Sequence, residues 1–505
     1  MRALLDTNIL IHREAGTVVR DDIGLVFRWL DRIRYEKCVH PVSLEEIRKH
    51  ADAATVATLL AKLGSYVTLR TRSPDTAAIT ALRQRDQTEN DSNDTSLLAE
   101  VVSKRVDLWI TEDRGVHRKA AVLGISNLVE TIDSFLEKAN AEFPALADYS
   151  VVSVRREYFG NIDLADPFFD AFRADYPQFD DWFARKADES AYVCTGDHGD
   201  VIAFLYVKPE GHDEDYSDIE PPFGRAKRLK IGTFRVLMNG YRLGERFLKV
   251  VFDNAQRYMV DEIYVTLFRT SPEQERLIRL LEEWGFTFHG RKRTAAGVEE
   301  IYVRDFRPQV NLMDPRRTYP FVSGATRKFV VPIRPEHHTE LLPDSILTTE
   351  SPRDFVENRP NRNAIRKVYV SRAFERALTP GDVAVFYRTA AGGPAHYTSV
   401  MTTLGVVQEV ITAIPDRRTF FELCSNRTVF SNTELATLWD QGGNSRPFIL
   451  DFLYVQSFPP PRPTLKKLKE EHILSDAPRG IERLADTAFE RLLEVARADK
   501  RLIVS

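Results

Sequence analysis

Residues 1–11 read MRALLDTNILI, two apolar runs, Ala3-Leu4-Leu5 and Ile9-Leu10-Ile11, on either side of Asp6-Thr7-Asn8. Short apolar runs of this kind read as a buried strand of a parallel sheet, or as the start of the helix that follows it. A carboxylate at the carboxyl end of a first strand stands where open α/β sheets bind ligands. Burying it unpaired is costly, so a cation or a hydrogen-bond network is expected to meet Asp6, with Thr7 and Asn8 its nearest polar neighbours.

Three more acids fall at comparable places. Glu46 lies in HPVSLEEIRKH, just inside a helix that Ser43 is placed to cap. Asp94 lies in DSNDTSLLAEVV and is expected to open a helix whose apolar face carries Leu97, Leu98 and Val101. Asp113 lies in DLWITEDRGVHRKAAVLGI, after the strand Leu108-Trp109-Ile110. In a parallel sheet such positions can converge at one rim. Crowded carboxylates repel each other, and a hard divalent cation relieves the repulsion. One or two Mg²⁺ or Mn²⁺ ions would then activate a water and neutralise charge on a scissile phosphate.

The pieces LLDTN, LEEI, NDTSLLAE and ITEDRG, in that order, resemble the PIN-domain family of metal-dependent nucleases over roughly residues 1–140. The resemblance implies Asp6, Glu46, Asp94 and Asp113 as metal-binding, catalytic acids, with Glu45 a rival for Glu46. It also matches Thr111 to the hydroxyl that accompanies the last acid.

A chain of 505 residues exceeds one ordinary domain, and the length suggests about three. Its hydrophobic fraction of 43% and charged fraction of 29% are those of a folded soluble protein. With a formal net charge of −4, nucleic acid must be met by a local positive patch. Cys38, Cys194 and Cys424 are scattered and form neither a zinc pattern nor a disulfide framework. There is no signal-peptide pattern and no apolar run near the roughly 18 residues of a membrane span, so no membrane association is expected and the cytosol is the expected compartment. Texture changes divide the chain into 1–140, 150–310, 325–458 and 459–505. In the last part, PPPRP at 459–463 reads as a stiff linker. Behind it, Ile481, Leu484, Ala488, Leu492 and Val495 form one helical stripe.

In the middle region a strand from Ile231 to Met238 leads through NGYRLGERFLK into a long helix to about Met259. A strand over 262–267, a helix SPEQERLIRLLEEW, the turn GFTFHG and a strand over 299–303 follow. This order is similar to the GNAT family of acetyltransferases. The resemblance implies an α/β domain that cradles the pyrophosphate of acetyl-CoA on Arg242, Leu243, Gly244, Glu245 and Arg246. Free backbone N–H groups at a helix start are suited to that task. The family motif is Q/R-x-x-G-x-G/A; here Asn239 and Arg242 replace its first position and first glycine, and Gly244 remains. Leu281 stands where many members carry a tyrosine as general acid, with Tyr264 and Tyr302 as substitutes.

From Lys328 to about Ser457 short strands alternate with turns, which suggests a small β-barrel with helices on it. ENRPNR at 357–362, TPGDVAVFYR at 379–388 and LGVVQEV at 404–410 are similar to the ASCH/EVE branch of PUA-like domains. The resemblance implies RNA or modified nucleotides as ligands. Glu357, Arg359, Arg362 and Arg366 are the expected RNA-binding pocket, with arginines on phosphates, a carboxylate on a base amine, and Tyr387 stacking a base. The leading functional expectation is a metal-dependent endoribonuclease with a PUA-like RNA reader and a GNAT-like domain that binds acetyl-CoA or modifies a partner. Such an architecture suits a toxin-like or defence effector by analogy alone. The alternative is an acetyltransferase acting on RNA or protein, with the PIN-like domain used to bind RNA. A third reading is a nuclease held silent in cis by the other domains. The RNA target, acetyl acceptor, preferred metal and oligomeric state are not legible in the sequence.

Overall fold

The computed structural model describes all residues except 15–20, 50–55, 57–59, 61–62, 65, 71–72, 143–153, 197–198, 238–242, 295, 348–349, 351–363, 391–392, 425–426, 442–445 and 505. Two compact units are present: Met1–Asp148 with Leu237–Tyr241, and Tyr149–Val236 with Arg242–Ser505. The described residues thus form a multidomain α/β protein with a five-stranded parallel sheet, two larger mixed sheets and a two-stranded parallel pair.

In the first unit β1 (Arg2–Leu5), β2 (Glu36–Val39), β3 (Val67–Thr68), β4 (Leu108–Ile110) and β5 (Val129–Glu130) pair in the order β3-β2-β1-β4-β5. Every pairing in it is parallel. The apolar run of β1 is continuous because both faces of the sheet are covered. Ala3 and Leu5 join a core with Ile9, Leu10 and Phe135, whereas Leu4 joins another with Leu98, Trp109 and Val116. The order reverses about β1, so the carboxyl ends of β1 and β4 flank the natural ligand crevice.

The second unit carries two large sheets. Strands β6 (Val154–Tyr158), β7 (Ser190–Thr195), β8 (Val201–Glu210), β9 (Ile219–Glu220), β10 (Arg228–Val236), β11 (Glu262–Leu267), β12 (Thr287–Thr294) and β13 (Gly297–Asp305) pair in the order β6-β7-β8-β10-β11-β13-β12-β9. Only β10 and β11 are parallel neighbours; the other pairs are antiparallel. The amphipathic helices Leu243–Tyr258 and Pro272–Glu283 lie in the connections, and Phe247, Leu248, Val251, Ile278 and Leu281 are buried. Phe159, Phe169, Phe183 and Phe204 make an aromatic cluster.

Strands β15 (Lys328–Ile333), β16 (Arg366–Ser371), β17 (Val383–Arg388), β18 (Val400–Ile411), β19 (Phe448–Ser457) and β20 (Glu482–Leu484) form a mixed sheet in the order β16-β19-β18-β17-β15-β20. Among the described residues the end strands β16 and β20 do not pair, so the expected small barrel takes the form of a six-stranded sheet. The two large sheets are fastened together. Lys249 Nζ donates to Asp344 at 2.7 Å, Gln256 to Asp499 at 2.9 Å, and the backbone N–H of Arg366 to Glu245 Oε1 at 2.6 Å.

The carboxyl-terminal segment departs from expectation. PPPRP is not a free spacer: the Arg462 guanidinium donates to the carbonyls of Ile346 and Phe458, and the Pro463 carbonyl accepts from Met401 N–H. Ile481 and Leu484 do not share a helix with Leu492. Leu484 ends β20, which pairs antiparallel with β15, and the helix Asp486–Val495 buries Phe489, Leu492 and Leu493. Beyond it β21 (Ile503–Val504) pairs in parallel with β14 (Val322–Ser323).

Candidate functional sites

The first site is the rim of the parallel sheet. Asp6 follows β1, and its N–H continues the ladder to Ile110 O at 3.1 Å. Its carboxylate accepts from the Thr111 hydroxyl and from Asn8 N–H. Glu46, in the Pro41–Arg48 helix, accepts from Thr7 Oγ1 at 2.6 Å and Asn93 Nδ2 at 3.1 Å. Glu45 is exposed, so the geometry puts Glu46 at the rim. Asp113 caps the Arg114–Val122 helix, with Oδ1 accepting from Gly115 N–H at 2.6 Å and Val116 N–H at 3.0 Å. Two local details differ from the sequence reading. His40, not Ser43, caps the Glu46 helix, and Ser43 is buried. Asp94 lies a turn inside the Glu89–Val102 helix, because Thr88 and Asp91 form a capping box ahead of it.

The four acids feel one another. Burial pushes the Asp94 carboxyl up to about 7, with Asp113, Asp6 and Glu46 adding repulsion while Lys119 opposes it. Burial also raises Asp6, with Asp113 and Glu46 contributing and the Thr111 hydroxyl opposing. Yet among the described residues no three His, Cys, Asp or Glu side chains are arranged to hold a metal ion. One Asp113 oxygen caps a helix, and both Glu46 oxygens accept hydrogen bonds. The donors are hard oxygens suited to Mg²⁺ or Mn²⁺.

The second site lies where β10 and β11 part. They pair from Arg228↔Glu262 to Ile231↔Val265 and no further. Beyond that point β10 continues with β8 to Val236, and β11 with β13 to Leu267. The next helix in the chain after β10 is Leu243–Tyr258, and the first-turn N–H groups of a helix have no intrahelical partner. Of the expected acetyl-CoA contacts, Arg242 lies outside the described residues. Leu243 is buried in the core. A Cβ on Gly244 would come 2.8 Å from Leu280 Cδ2, so its small size serves the approach of the next helix. The Glu245 carboxylate accepts from Arg366 N–H. Arg246, half-buried, is close enough to lower the Cys194 thiol against a larger upward push from burial. Among the expected contacts that are described, Arg246 is the one that carries positive charge.

Leu281 is buried and has no proton to give. Tyr264 donates to Glu210 Oε2 at 2.7 Å, and burial beside that carboxylate holds its hydroxyl far above the ordinary range. Tyr302 stands opposite Val265, the last residue of β11 before the strands part. It donates to Glu300 at 3.0 Å, and burial with that partner pushes it up to about 12, so it keeps its proton at neutral pH.

Of the expected RNA pocket, only Arg366 and Tyr387 lie among the described residues. Glu357, Arg359 and Arg362 lie outside the described residues. Arg366 is clamped on Asp451, 2.9 and 2.7 Å from Nε to the two oxygens. Tyr387 is 1% exposed, inside the sheet core, and presents no free ring face for a base. Its position in VAVFYR, an apolar run bounded by turns, carried that signal.

No protein-family model matches this chain, and no curated protein does. Among solved structures, ASCH from Zymomonas mobilis is similar at 11% identity and TM-score 0.24, over 33% of this chain and 94% of its own. A GNAT-family acetyltransferase from Streptococcus agalactiae is similar at 18% identity and TM-score 0.20, over 26% and 73%. A Drosophila melanogaster polyamine N-acetyltransferase that forms N-acetylagmatine is similar at 14% identity and TM-score 0.24, over 30% and 99%. Likenesses this slight transfer neither fold nor activity. No described helix is long and apolar enough to cross a membrane.

Proposed function

We propose that the second unit is an acetyl-CoA-dependent acyltransferase acting on RNA or protein, and that the first unit engages RNA. The observation that supports this reading is the parting of β10 and β11, the parallel pair of the eight-stranded sheet, in the connection that leads to the Leu243–Tyr258 helix. Ligands of α/β sheets bind beyond the carboxyl ends of parallel strands, and helix starts favour phosphates. Acetyl-CoA, when bound, supplies an acyl group activated as a thioester. First-turn backbone N–H groups and Arg246 orient its phosphates. Tyr302, buried and in register with Val265, keeps its proton and is our candidate to deliver it to a departing thiolate. Tyr264 serves less well: strand alternation points it to the face opposite Tyr302. Acetyl-CoA should raise the melting temperature of the protein, and CoA thiol should be released when RNA or protein acceptors are added. Tyr302→Phe should lower thiol release and leave the thermal shift intact. No shift at millimolar acetyl-CoA refutes the reading.

A second reading, a PIN-like endoribonuclease, is favoured by a separate observation: Asp6, Glu46, Asp94 and Asp113 are mutually coupled at the carboxyl rim of a parallel sheet. Mg²⁺ or Mn²⁺ held there would supply an activated water. The residues themselves would set its position, with Thr111 orienting Asp6, and Thr7 and Asn93 orienting Glu46. RNA cleavage that needs Mn²⁺ or Mg²⁺, stops with chelator and disappears in Asp6→Asn supports it; metal-independent or absent cleavage removes it.

A further inference from the structure

The six-stranded sheet carries an aromatic side chain with no packing role. Phe374, just after β16, is 103% exposed. Folded proteins rarely leave a phenylalanine standing wholly in water, and lone exposed rings gain meaning when their surroundings are specialised. The surroundings here are arginines. Arg372 donates to Gln441 O at 3.0 Å, and Arg376 to Ala373 O at 3.2 Å and Arg446 O at 3.0 Å. Arg446 donates to Trp439 O at 3.0 Å and stacks 4.5 Å above that indole, while Arg376 lies 5.0 Å over Phe448. The three guanidinium groups are therefore held by carbonyl oxygens and ring faces, which fix their positions without neutralising their charge. Among the described residues none of the three pairs with a carboxylate. Of the nearby acids, Asp440 pairs with Arg417, and Glu375 accepts from Ala377 N–H, which leaves its single negative charge against the three positive ones.

In a chain whose formal net charge is −4, such a patch needs a reason. We propose that Phe374, with Arg372, Arg376 and Arg446, is a docking platform for single-stranded nucleic acid: one base stacks on the exposed ring and the adjoining phosphates lie against the guanidinium groups. A pre-positioned cation beside a free aromatic face is the arrangement that binds a strand with little sequence preference. Duplex fits poorly, since its bases are already stacked. The platform deepens the RNA-reading expectation for this region at residues the sequence reading did not name, and it stands whether or not the acyl-transfer reading does.

The test is fluorescence anisotropy of a short fluorescein-labelled oligouridylate with the full chain in chelator, which blocks metal-dependent cleavage. Single-stranded DNA of the same length and duplex RNA serve as parallel arms. The parent should bind both single strands and bind duplex more weakly. Phe374→Ala should weaken binding by about fivefold or more, and Phe374→Trp should preserve it. Arg372→Gln with Arg376→Gln should flatten the dependence of log affinity on log salt by about 0.7 for each phosphate that the variant no longer neutralises. Because Phe374 packs against nothing, the melting temperature of Phe374→Ala should match the parent, which separates lost docking from lost folding. No binding by the parent at low salt overturns the proposal, as does equal binding by Phe374→Ala. In the second case RNA is read elsewhere on the chain; a parent that prefers duplex also overturns it.

Discussion

Replacing Asp94 by asparagine removes one charge from the crowded rim at almost constant volume. In the native state the Asp94 carboxyl titrates at about 7, against 3.8 for the free side chain. A raised acid binds its proton more tightly folded than unfolded, so its contribution to stability is fully present below the free value and is lost as pH rises through the native one. At about 1.4 kcal/mol per pH unit the whole shift corresponds to roughly 4 kcal/mol. Asp94 is only partly buried, so solvent screening reduces this to about 2 kcal/mol, most of it accruing between pH 5 and 8. Asp94→Asn should therefore unfold at a higher temperature than the parent at pH 8 in chelator. For a unit of this size each kcal/mol is worth roughly 2–4 °C. The gain should shrink by more than half at pH 5. Calorimetry of both proteins at the two pH values, following the transition of the first unit, provides the double difference. An equal difference at both pH values, or a less stable variant at pH 8, would refute the argument that burial and the neighbouring acids raise the Asp94 carboxyl. Adding Mn²⁺ at pH 8 should stabilise the parent more than the variant.

Gly244→Ala should change stability by no more than about 1 kcal/mol, because Leu280 can turn its methyl aside and alanine favours the helix; an acetyl-CoA thermal shift should survive it. His338 is buried between Thr339 and Thr402, and burial beside Arg388 and Arg462 drives it down to about 3. Its stabilisation is complete above about 6.5 and falls away toward 3, so urea titrations at pH 8 and pH 5 should differ by about 2 kcal/mol more in the parent than in His338→Gln. Arg366→Met should destabilise the second unit by about 3 kcal/mol by leaving the buried Asp451 short of a partner, and should leave oligonucleotide affinity unchanged.

The strands and rim acids of the first unit were legible because their signals are local. LLD and LWI are short, apolar through and through, and end in polar residues, which is how a strand covered on both faces reads. That Glu46 accepts hydrogen bonds from Thr7 and Asn93 was not legible, since those residues are far apart in sequence. Gly244 illustrates the same limit: a motif position suggested a phosphate, whereas the neighbour that constrains it is Leu280 in another helix. Arg366 looked like a free cation because Asp451 is 85 positions away. The tail misled for a subtler reason. Ile481 and Leu484 are three apart, a spacing that a helix and a short strand running into a turn can both produce, and only pairing with β15 settles it. Phe374 was overlooked because an isolated aromatic residue between arginines has no periodicity to betray exposure.

The pairing of β21 with β14 and of β20 with β15 has a bearing on how the protein is made. Every strand of the first sheet lies within residues 2–130, so a ribosome will have delivered that sheet whole while most of the chain is still unwritten. The six-stranded sheet has the opposite schedule: its edge strand at 482–484 arrives long after β15 at 328–333 and must travel back to it. Until then the edge of β15 stands open, a template for any other strand in the cell. Nascent chains should therefore pass through a stage in which the amino-terminal unit is complete and protease-resistant while the other is vulnerable to cleavage and to chaperone capture.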